Sequence, residues 1–275
     1  MRTPEEAVDR SFGLVASDLD GTLLDADGTL TARTRRALAA VHEAGVPVVL
    51  ATGRPTRFTR EVARELGIAV PVVCSNGAVI YDPAGDRVLS SRTLTPTLVR
   101  ELAHALRVQV PGVTFAAESP WVFGCEPRFA ETSEWPLPAD VIVDAHAWVD
   151  GQPIAKLLVR HDVLTTEELA AAAGPVLDGQ VGVTFSTGSL IELGAVGVDK
   201  ATGLAEVSAA LGAGAEDSIA FGDMPNDVAM LQWAGHGVAV ANAHAQVLAV
   251  ADAVTARNTE EGVALYLERF WPVGP

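Results

Sequence analysis

The chain has 275 residues, 49% of them hydrophobic, and its 19 basic and 35 acidic residues give a formal net charge of −16. This length suffices for one large or two ordinary domains, and the acidic balance argues against a nucleic-acid or anionic-membrane surface. No uncharged apolar run reaches about 18 residues, so no membrane-spanning helix is expected. Residues 1–11 do not resemble a signal peptide, and Cys74 and Cys125 do not make a disulfide framework. We therefore expect a cytoplasmic protein.

Short apolar strand patterns alternate with helical patterns over the first 80 or so residues, which is typical of a parallel α/β sheet. Thr31 fits a helix N-cap and Gly45 fits the stop of the same helix. The predicted strands are 14–17, 46–51 and 70–74, and the predicted helices are 31–44 and 55–66.

The pattern changes between residues 82 and 190, where helices and strands of another kind follow one another. A Thr165–Glu168 capping box starts one of the helices, whereas 125–152 fits no element. The other predictions are helix 95–106, strands 113–117, 121–124 and 154–160, helix 165–173, and a hairpin of 181–186 with 190–193.

Units of the α/β kind resume after residue 190. A helix is predicted to start at Lys200 and stop at Gly212, and Pro225 starts another helix. The remaining predicted strands are 218–221, 238–240 and 253–254. We therefore predict an α/β protein with a Rossmann-like parallel-sheet core, residues 1–81 and 191–275, into which residues 82–190 are inserted as an α+β cap domain.

Four separated segments carry acidic, hydroxyl and ammonium groups, and an apolar strand pattern precedes three of them. In open α/β sheets, ligands bind beyond the carboxyl ends of the strands, so neighbouring strands would bring these groups together. Such groups can hold a phosphate and a hard cation. The segments are DLDGTL (18–23), TGR (52–54), Lys200 and GDMPND (222–227).

The residue types suggest a division of labour within this set. Asp18 is the candidate nucleophile, because an ionised carboxylate can attack phosphorus. Asp18 and Asp223 can supply carboxylates to Mg²⁺, with Asp227 supporting them. Asp20 can protonate the leaving oxygen and then activate water.

Two further groups are suited to the phosphate itself. Thr52 can offer its hydroxyl and its backbone N–H to a phosphate oxygen, and Lys200 adds a positive charge. Gly53 and Arg54 adjoin Thr52, Asn226 lies in the last of the four segments, and Asn76 follows the third predicted strand; these four residues are the candidates for substrate binding.

The four segments, in this order, resemble the haloacid dehalogenase superfamily, and the insertion resembles its C2-type (C2B-like) cap. Further segments resemble the Cof-type branch, namely SNGA (75–78), Glu192 before GVDK (197–200), AVANA (239–243) and EGVA (261–264). The resemblance implies a Mg²⁺-dependent phosphatase that forms an aspartyl-phosphate.

The resemblance also implies individual roles. Asp18 would be nucleophile and metal ligand, Asp20 would be the acid/base and bind Mg²⁺ through its backbone carbonyl, and Thr52 would bind phosphate. Lys200 matches the lysine of the third motif, and Asp223 matches the metal aspartate, with Asn226 and Asp227 completing that motif.

The substrate would be a small phosphorylated metabolite, such as a sugar phosphate or a related phosphate monoester, in a monomer or homodimer. Two other functions stay open on the sequence: a phosphomutase or phosphoryl-transferase, and a receiver-like phospho-accepting signalling protein. Candidates for substrate contact from the inserted part are Glu118, Trp121, Arg128, Lys156, Arg160 and His161.

Overall fold

A computed structural model describes residues 11–67, 69–132, 137, 141–143, 151 and 153–273. Residues 1–10 and much of the unassigned stretch 125–152 lie outside this range. The strands are β1 (Leu14–Ser17), β2 (Val48–Leu50), β3 (Val72–Cys74), β4 (Val79–Asp82), β5 (Arg87–Ser91), β6 (Thr114–Glu118), β7 (Phe123–Cys125), β8 (Ile142–Val143), β9 (Lys156–Arg160), β10 (Gly182–Thr184), β11 (Ile191–Gly194), β12 (Ser218–Gly222), β13 (His236–Val240) and β14 (Ala253–Thr255).

The helices alternate with the strands in the first and last parts of the chain, as the sequence predicts. Thr31 caps the first of them, since its side chain accepts the N–H of Thr34, and such a cap contributes about 1 kcal/mol. The helices are α1 (Ala32–Glu43), α2 (Thr56–Glu65), α3 (Pro96–Gln109), α4 (Pro127–Glu131), α5 (Thr166–Leu177), α6 (Lys200–Leu211), α7 (Val228–Trp233), α8 (Ala245–Leu248) and α9 (Gly262–Leu267).

A five-stranded parallel sheet forms the core of the fold, with strand order β14-β13-β12-β1-β2. Successive residues of β1 face opposite sides: Val15 packs in one hydrophobic cluster with residues of α1 and α9, and Leu14 packs in another with residues of α6 and α7. Because helices cover both faces, these strands are apolar throughout. The polar residues that follow them are therefore placed at the edge of the sheet.

A second, six-stranded sheet has the order β10-β11-β9-β6-β7-β8 and is mixed, with only β7 and β8 parallel among its pairs. Helices α3 and α5 pack on one face, where Phe115, Leu157 and Val159 join their cluster. The strands of this sheet lie within residues 114–194, between the two halves of the parallel core. The predicted fold class, a parallel α/β core with an inserted α+β unit, is confirmed.

The predicted division into domains at 81/82 and 190/191 stays a prediction, but strand pairing bears on the second boundary. β10 and β11 form an antiparallel pair in which Gly182 faces Gly194. Because the two strands share hydrogen bonds, Ile191–Gly194 pairs within the second sheet, although the predicted boundary places these residues in the core. Within the described part of the chain, no helix has the length and apolar character needed to cross a membrane.

Candidate active site

Three polar residues meet where adjacent parallel strands end. Asp18 follows β1, Thr52 lies two residues beyond β2, and Asp223 follows β12. These strands are neighbours in the order β12-β1-β2. The sequence prediction required these three strands to be neighbours, and they are. The three side chains therefore share one edge of the sheet.

A buried carboxylate cluster forms at this edge. Among the described residues, Asp18, Asp223 and Asp227 bring carboxylate oxygens within 4.8 Å of one another. Lys200, the first residue of α6, lies among them and is fully buried. Its Nζ donates to Asp18 Oδ1 at 2.6 Å and to Asp227 Oδ1 at 2.5 Å. One ammonium thus faces three carboxylates.

The cluster has three carboxyl groups but only one ammonium, that of Lys200. Burial, followed by the nearby Asp227 carboxylate, raises the pKa of Asp223 to about 7. Burial also raises the pKa of Asp18, against the attraction of Lys200. Burial opposes the charge of Lys200, but Asp18 and Asp227 outweigh it and raise the pKa of the ammonium. The carboxylates therefore favour a further positive charge at this place.

Asp223 is held from the turn that follows Asp18. Thr22 Oγ1 donates to Asp223 Oδ1 at 2.7 Å. Gly21 has a φ of +76°, and a Cβ on it would lie 2.4 Å from Asp223 Oδ2. Only glycine combines this conformation with so close an approach. The carbonyl of Gly21 accepts from Asn242 Nδ2 at 2.8 Å, which fixes the turn.

Both oxygens of Asp227 already have partners. Asp227 Oδ2 accepts the N–H of Asp223 at 2.9 Å and that of Met224 at 3.0 Å, and Oδ1 accepts from Lys200. Asp227 therefore shapes the loop that carries Asp223. The supporting role at a metal site that the sequence gave Asp227 stays a prediction.

Asp20 lies apart from the buried cluster. Its side chain is 55% exposed and forms a two-bond ion pair with Arg54, with Nε–Oδ2 and Nη2–Oδ1 distances of 2.7 and 2.5 Å. The pair lies beside Asp18 at a cavity of about 370 Å³. The residues around this cavity are Asp18, Asp20, Gly53, Arg54, Ser186, Thr187, Met224 and Asn226.

Thr52 differs in one respect from its predicted use. Its N–H donates to the carbonyl of Val73 at 2.8 Å, because a bridge between Ala51 and Val73 extends the parallel sheet at this point. The prediction that this N–H binds phosphate is therefore wrong. Thr52 Oγ1 accepts the N–H of Arg54 at 3.0 Å, which leaves the hydroxyl hydrogen for a ligand.

A protein-family model described as haloacid dehalogenase-like hydrolase matches residues 15–267. The chain belongs to this family. It is 32% identical over 272 residues to a 5-amino-6-(5-phospho-D-ribitylamino)uracil phosphatase of Bacillus subtilis (strain 168), which covers 98% of this chain and 99% of the relative. It is 27% identical over 266 residues to a pyridoxal phosphate phosphatase of Escherichia coli (strain K12), covering 92% and 97%.

Solved structures agree with this assignment. A haloacid dehalogenase-like hydrolase from Bacteroides thetaiotaomicron is 27% identical, with a TM-score of 0.76 over 94% of this chain and 99% of that one. The predicted Cof-type membership is confirmed, and so is the prediction of a phosphoric monoester hydrolase. Membership of this family, over residues 15–267, rules out the receiver-like signalling function.

Asn76 and Asn226, two predicted substrate-binding residues, bond to each other. Asn226 Nδ2 donates to Asn76 Oδ1 at 3.0 Å, and Asn76 Nδ2 donates to Glu192 Oε2. Both ends of the Asn76 amide are thus taken up by protein groups. Asn226 borders the cavity and retains a buried Oδ1 with no hydrogen-bond partner, so it is the better placed of the two for a ligand.

The structure brings two residues to the site that the sequence did not single out, Ser186 and Thr187, which reach the cavity from the hairpin of β10 and β11. Lys156, which the sequence offered as a candidate for substrate contact, donates to the carbonyl of Gly53. One signal in the sequence sets Lys156 apart from the other candidates. The chain has only two lysines among its 19 basic residues, and both are buried at this site.

Proposed function

We propose that the chain is a Mg²⁺-dependent phosphatase that hydrolyses small phosphorylated metabolites through an aspartyl-phosphate on Asp18. One observation carries this proposal: the buried Asp18 carboxylate borders the cavity, beside Asp223 and in contact with Lys200. Such an arrangement supplies a nucleophile, a cation site and a fixed positive charge at one place.

The donor set fits Mg²⁺, which prefers oxygen ligands and usually binds through one or two carboxylates. Asp18 and Asp223 are the carboxylates that would hold it, with Asp227 orienting the loop of Asp223. Burial, and after it the neighbouring carboxylates, raise the pKa of Asp18 and of Asp223, so a cation held between them would favour their ionised forms. A bound Mg²⁺ would neutralise charge on the phosphoryl oxygens.

The reaction then has two steps. One Asp18 carboxylate oxygen attacks phosphorus and the bond from phosphorus to the leaving oxygen breaks. Asp20, protonated and released from its ion pair with Arg54, gives that oxygen its proton. In the second step Asp20 takes a proton from water, whose oxygen attacks phosphorus. Phosphate leaves and the Asp18 carboxylate is restored. Lys200 keeps the position of Asp18 through its 2.6 Å contact.

The substrate class is inferred from the cavity and from the relatives. A volume of about 370 Å³ suits a phosphate with a small organic group, and Ser186 and Thr187 are polar residues in the lining of this cavity. The two relatives are named as phosphatases of a ribitylaminouracil phosphate and of pyridoxal phosphate. We therefore place the substrate among small phosphorylated metabolites, sugar phosphates and related monoesters included.

The test is phosphate release from a panel, with and without Mg²⁺: an aryl phosphate, hexose and pentose phosphates, phosphoglycolate, nucleotides, pyridoxal phosphate and flavin phosphate. Mg²⁺-dependent release of phosphate supports the proposal, and the ranking of kcat/KM identifies the class. If the folded protein releases no phosphate from any compound, the proposal fails.

The phosphomutase alternative receives no support from the structure. Between Asp18 and β2 the chain holds a turn and the single helix α1. Mutases of the superfamily that the sequence resembles usually carry a small helical cap after the first motif, and a single helix is too little for such a cap. The large insertion lies instead between β3 and α6.

Gly21→Ala is expected to weaken Mg²⁺ binding by about tenfold or more, because the new Cβ would meet Asp223 Oδ2 at 2.4 Å. The measurement is a Mg²⁺ titration of phosphate release and of thermal stability. Gly28→Ala is the matched control, since Gly28 has a similar φ of +71° but nothing within 4 Å of a Cβ. Equal Mg²⁺ affinity in the two variants would contradict the account.

The stabilisation by Mg²⁺ is expected to grow with pH. The pKa of Asp223 is raised from 3.8 to about 7. The protonated Asp223 carboxyl therefore contributes its full stabilisation of the fold below pH 3.8, and this contribution is lost as pH rises towards 7. Mg²⁺ binds the ionised form and opposes that loss.

The measurement is the increase in Tm on adding Mg²⁺ at about pH 5 and at about pH 8, which should be larger at the higher pH. Asp223→Asn should lack most of this pH dependence. An equal increase at both pH values in the wild type would show that Asp223 does not link proton and metal binding.

A further inference from the structure

Lys156 is one of only two lysines in the chain, and it occupies an unusual place for a lysine. It begins β9 and is only 5% exposed. Its neighbour Leu157 packs against α3 and α5, so Lys156 lies on the opposite face of the six-stranded sheet, which is turned towards the parallel core.

The ammonium of Lys156 contacts both parts of the molecule. Its Nζ lies 3.2 Å from Glu118 Oε2 and 3.3 Å from Glu192 Oε1, both on the second sheet. It also donates to the carbonyl of Gly53 at 2.8 Å, in the loop after β2. Burial opposes the charge, but the two carboxylates outweigh burial and raise the pKa of Lys156. Lys156 is therefore a charged group that reaches from the insertion to the loop beside Asp18.

Lys156 is the centre of a row of alternating charges. Arg57, at the start of α2, donates to Glu118 Oε1 at 3.0 Å, so the row Arg57–Glu118–Lys156–Glu192 has no net charge. Ser186 donates to Glu192 Oε1 at 2.8 Å. Balanced charges of this kind can be buried together, whereas removal of one leaves another uncompensated.

From Glu192 the network continues through the side-chain amides of Asn76 and Asn226 into the loop that carries Asp223. Glu192 Oε2 accepts from Asn76, and Asn76 Oδ1 accepts from Asn226 at 3.0 Å. Asn76 has a φ of +56°, a left-handed conformation that costs energy outside glycine. A Cβ on Gly53 would lie 3.2 Å from Asn76 Oδ1. The loops of Gly53, Asn76 and Asn226 thus pack around one hydrogen-bonded network.

The peptide between Gly53 and Arg54 transmits the contact to Thr52. Its carbonyl accepts from Lys156, and its N–H donates to Thr52 Oγ1 at 3.0 Å. Because Thr52 Oγ1 accepts the N–H of this peptide, the hydroxyl hydrogen of Thr52 is directed away from the peptide. That hydrogen is then available to a ligand in the nearby cavity.

We propose that Lys156 and Glu192 are positioning residues of the inserted unit: through the Gly53–Arg54 peptide they orient the Thr52 hydroxyl for phosphate. This inference rests on the proposed phosphatase function. Without Lys156 the Gly53 carbonyl loses its partner, and the peptide whose N–H donates to Thr52 Oγ1 is no longer held at its carbonyl end.

The test compares Lys156→Met, Glu192→Gln and the double variant with the wild type. The double variant removes one positive and one negative charge, so it avoids an uncompensated buried charge if Lys156→Met fails to fold. Glu126→Gln is the matched control: like Glu192, Glu126 is a buried carboxylate of the insertion with a cationic partner, here Arg107, and among the described residues it has no contact with this network. The readouts are kcat, KM, Tm, and the inhibition constants of vanadate and inorganic phosphate at saturating Mg²⁺.

Vanadate mimics the five-coordinate transition state, whereas phosphate is a ground-state ligand, so misplacement of Thr52 should weaken vanadate more. We expect kcat to fall by roughly 10- to 100-fold in the Lys156 and Glu192 variants. The ratio of the vanadate constant to the phosphate constant should rise by about tenfold, while Glu126→Gln stays within about twofold. A purely structural role would lower Tm and leave this ratio unchanged.

Two outcomes distinguish the inference from the function on which it rests. If the wild type releases phosphate and binds vanadate, and the folded variants match its kcat and its vanadate-to-phosphate ratio, only the positioning role is overturned. If the wild type neither releases phosphate with Mg²⁺ nor binds vanadate, the proposed function and the positioning role fail together.

Discussion

Asp18→Asn is expected to reduce kcat by about 10⁴-fold or more, because the amide cannot attack phosphorus and form the acyl-phosphate. The neighbouring groups would stay in place, since the change is isosteric and Lys200 keeps Asp227 as a partner at 2.5 Å. The measurement is the steady-state rate of phosphate release at saturating Mg²⁺ with the best substrate of the panel. Residual activity above about 1% of the wild type would contradict the assignment of Asp18 as nucleophile.

The same variant should fold at least as stably as the wild type in the absence of metal. The pKa of Asp18 is raised by burial, and then by Asp227 and Asp223, so ionisation of Asp18 costs the fold stability as pH rises above 3.8. Asparagine removes that cost near neutral pH. The check is Tm without added Mg²⁺, and a Tm well below that of the wild type would show that the carboxylate stabilises the fold.

Lys200→Met should have the largest effect on stability, a loss of about 3–5 kcal/mol. Lys200 is fully buried between Asp18 and Asp227, and its removal leaves both carboxylates without their common partner. The free energy of unfolding from urea titration at neutral pH measures this loss. We also expect phosphatase activity to fall with it, because Asp18 loses the contact that holds it.

The double variant Asp18→Asn/Lys200→Met tests the cause of that loss. If the uncompensated carboxylates are responsible, removing one of them should restore part of the free energy of unfolding, and the two single effects should not add. Strict additivity of the two effects would show that lost packing of the lysine side chain, rather than charge, destabilises the variant.

The backbone of the site could be predicted from the sequence because its signals are local. An apolar run followed by an acidic residue, directly for Asp18 and after one glycine for Asp223, placed these residues just beyond β1 and β12. The Thr165–Glu168 capping box started α5 as predicted, although that helix continues to Leu177 rather than to residue 173. Strand ends, helix caps and helix stops depend on residues that lie within a few positions of each other in the sequence.

The contacts that complete the site join residues far apart in the chain. Lys156 and Gly53 are 103 positions apart, and Asn76 and Glu192 are 116 apart. No local pattern distinguishes a strand lysine that faces the core from one that faces solvent. The use of the Thr52 N–H was predicted wrongly for the same reason, since the bridge to Val73 depends on how β3 lies beside β2.

The central claim, covalent catalysis by Asp18, is tested most directly by trapping the phosphorylated enzyme. Asp20→Asn removes the group that activates water, whereas an aryl phosphate with a good leaving group needs no acid for the first step. Asp20→Asn is mixed with that substrate and Mg²⁺, and the reaction is quenched in acid. The protein is then digested and the masses of its peptides are measured by mass spectrometry. The account predicts one added phosphoryl group on the peptide that contains Asp18, and none when Asp18→Asn is combined with Asp20→Asn. Phosphate release by Asp20→Asn without such an adduct, or an adduct on another residue, would contradict it.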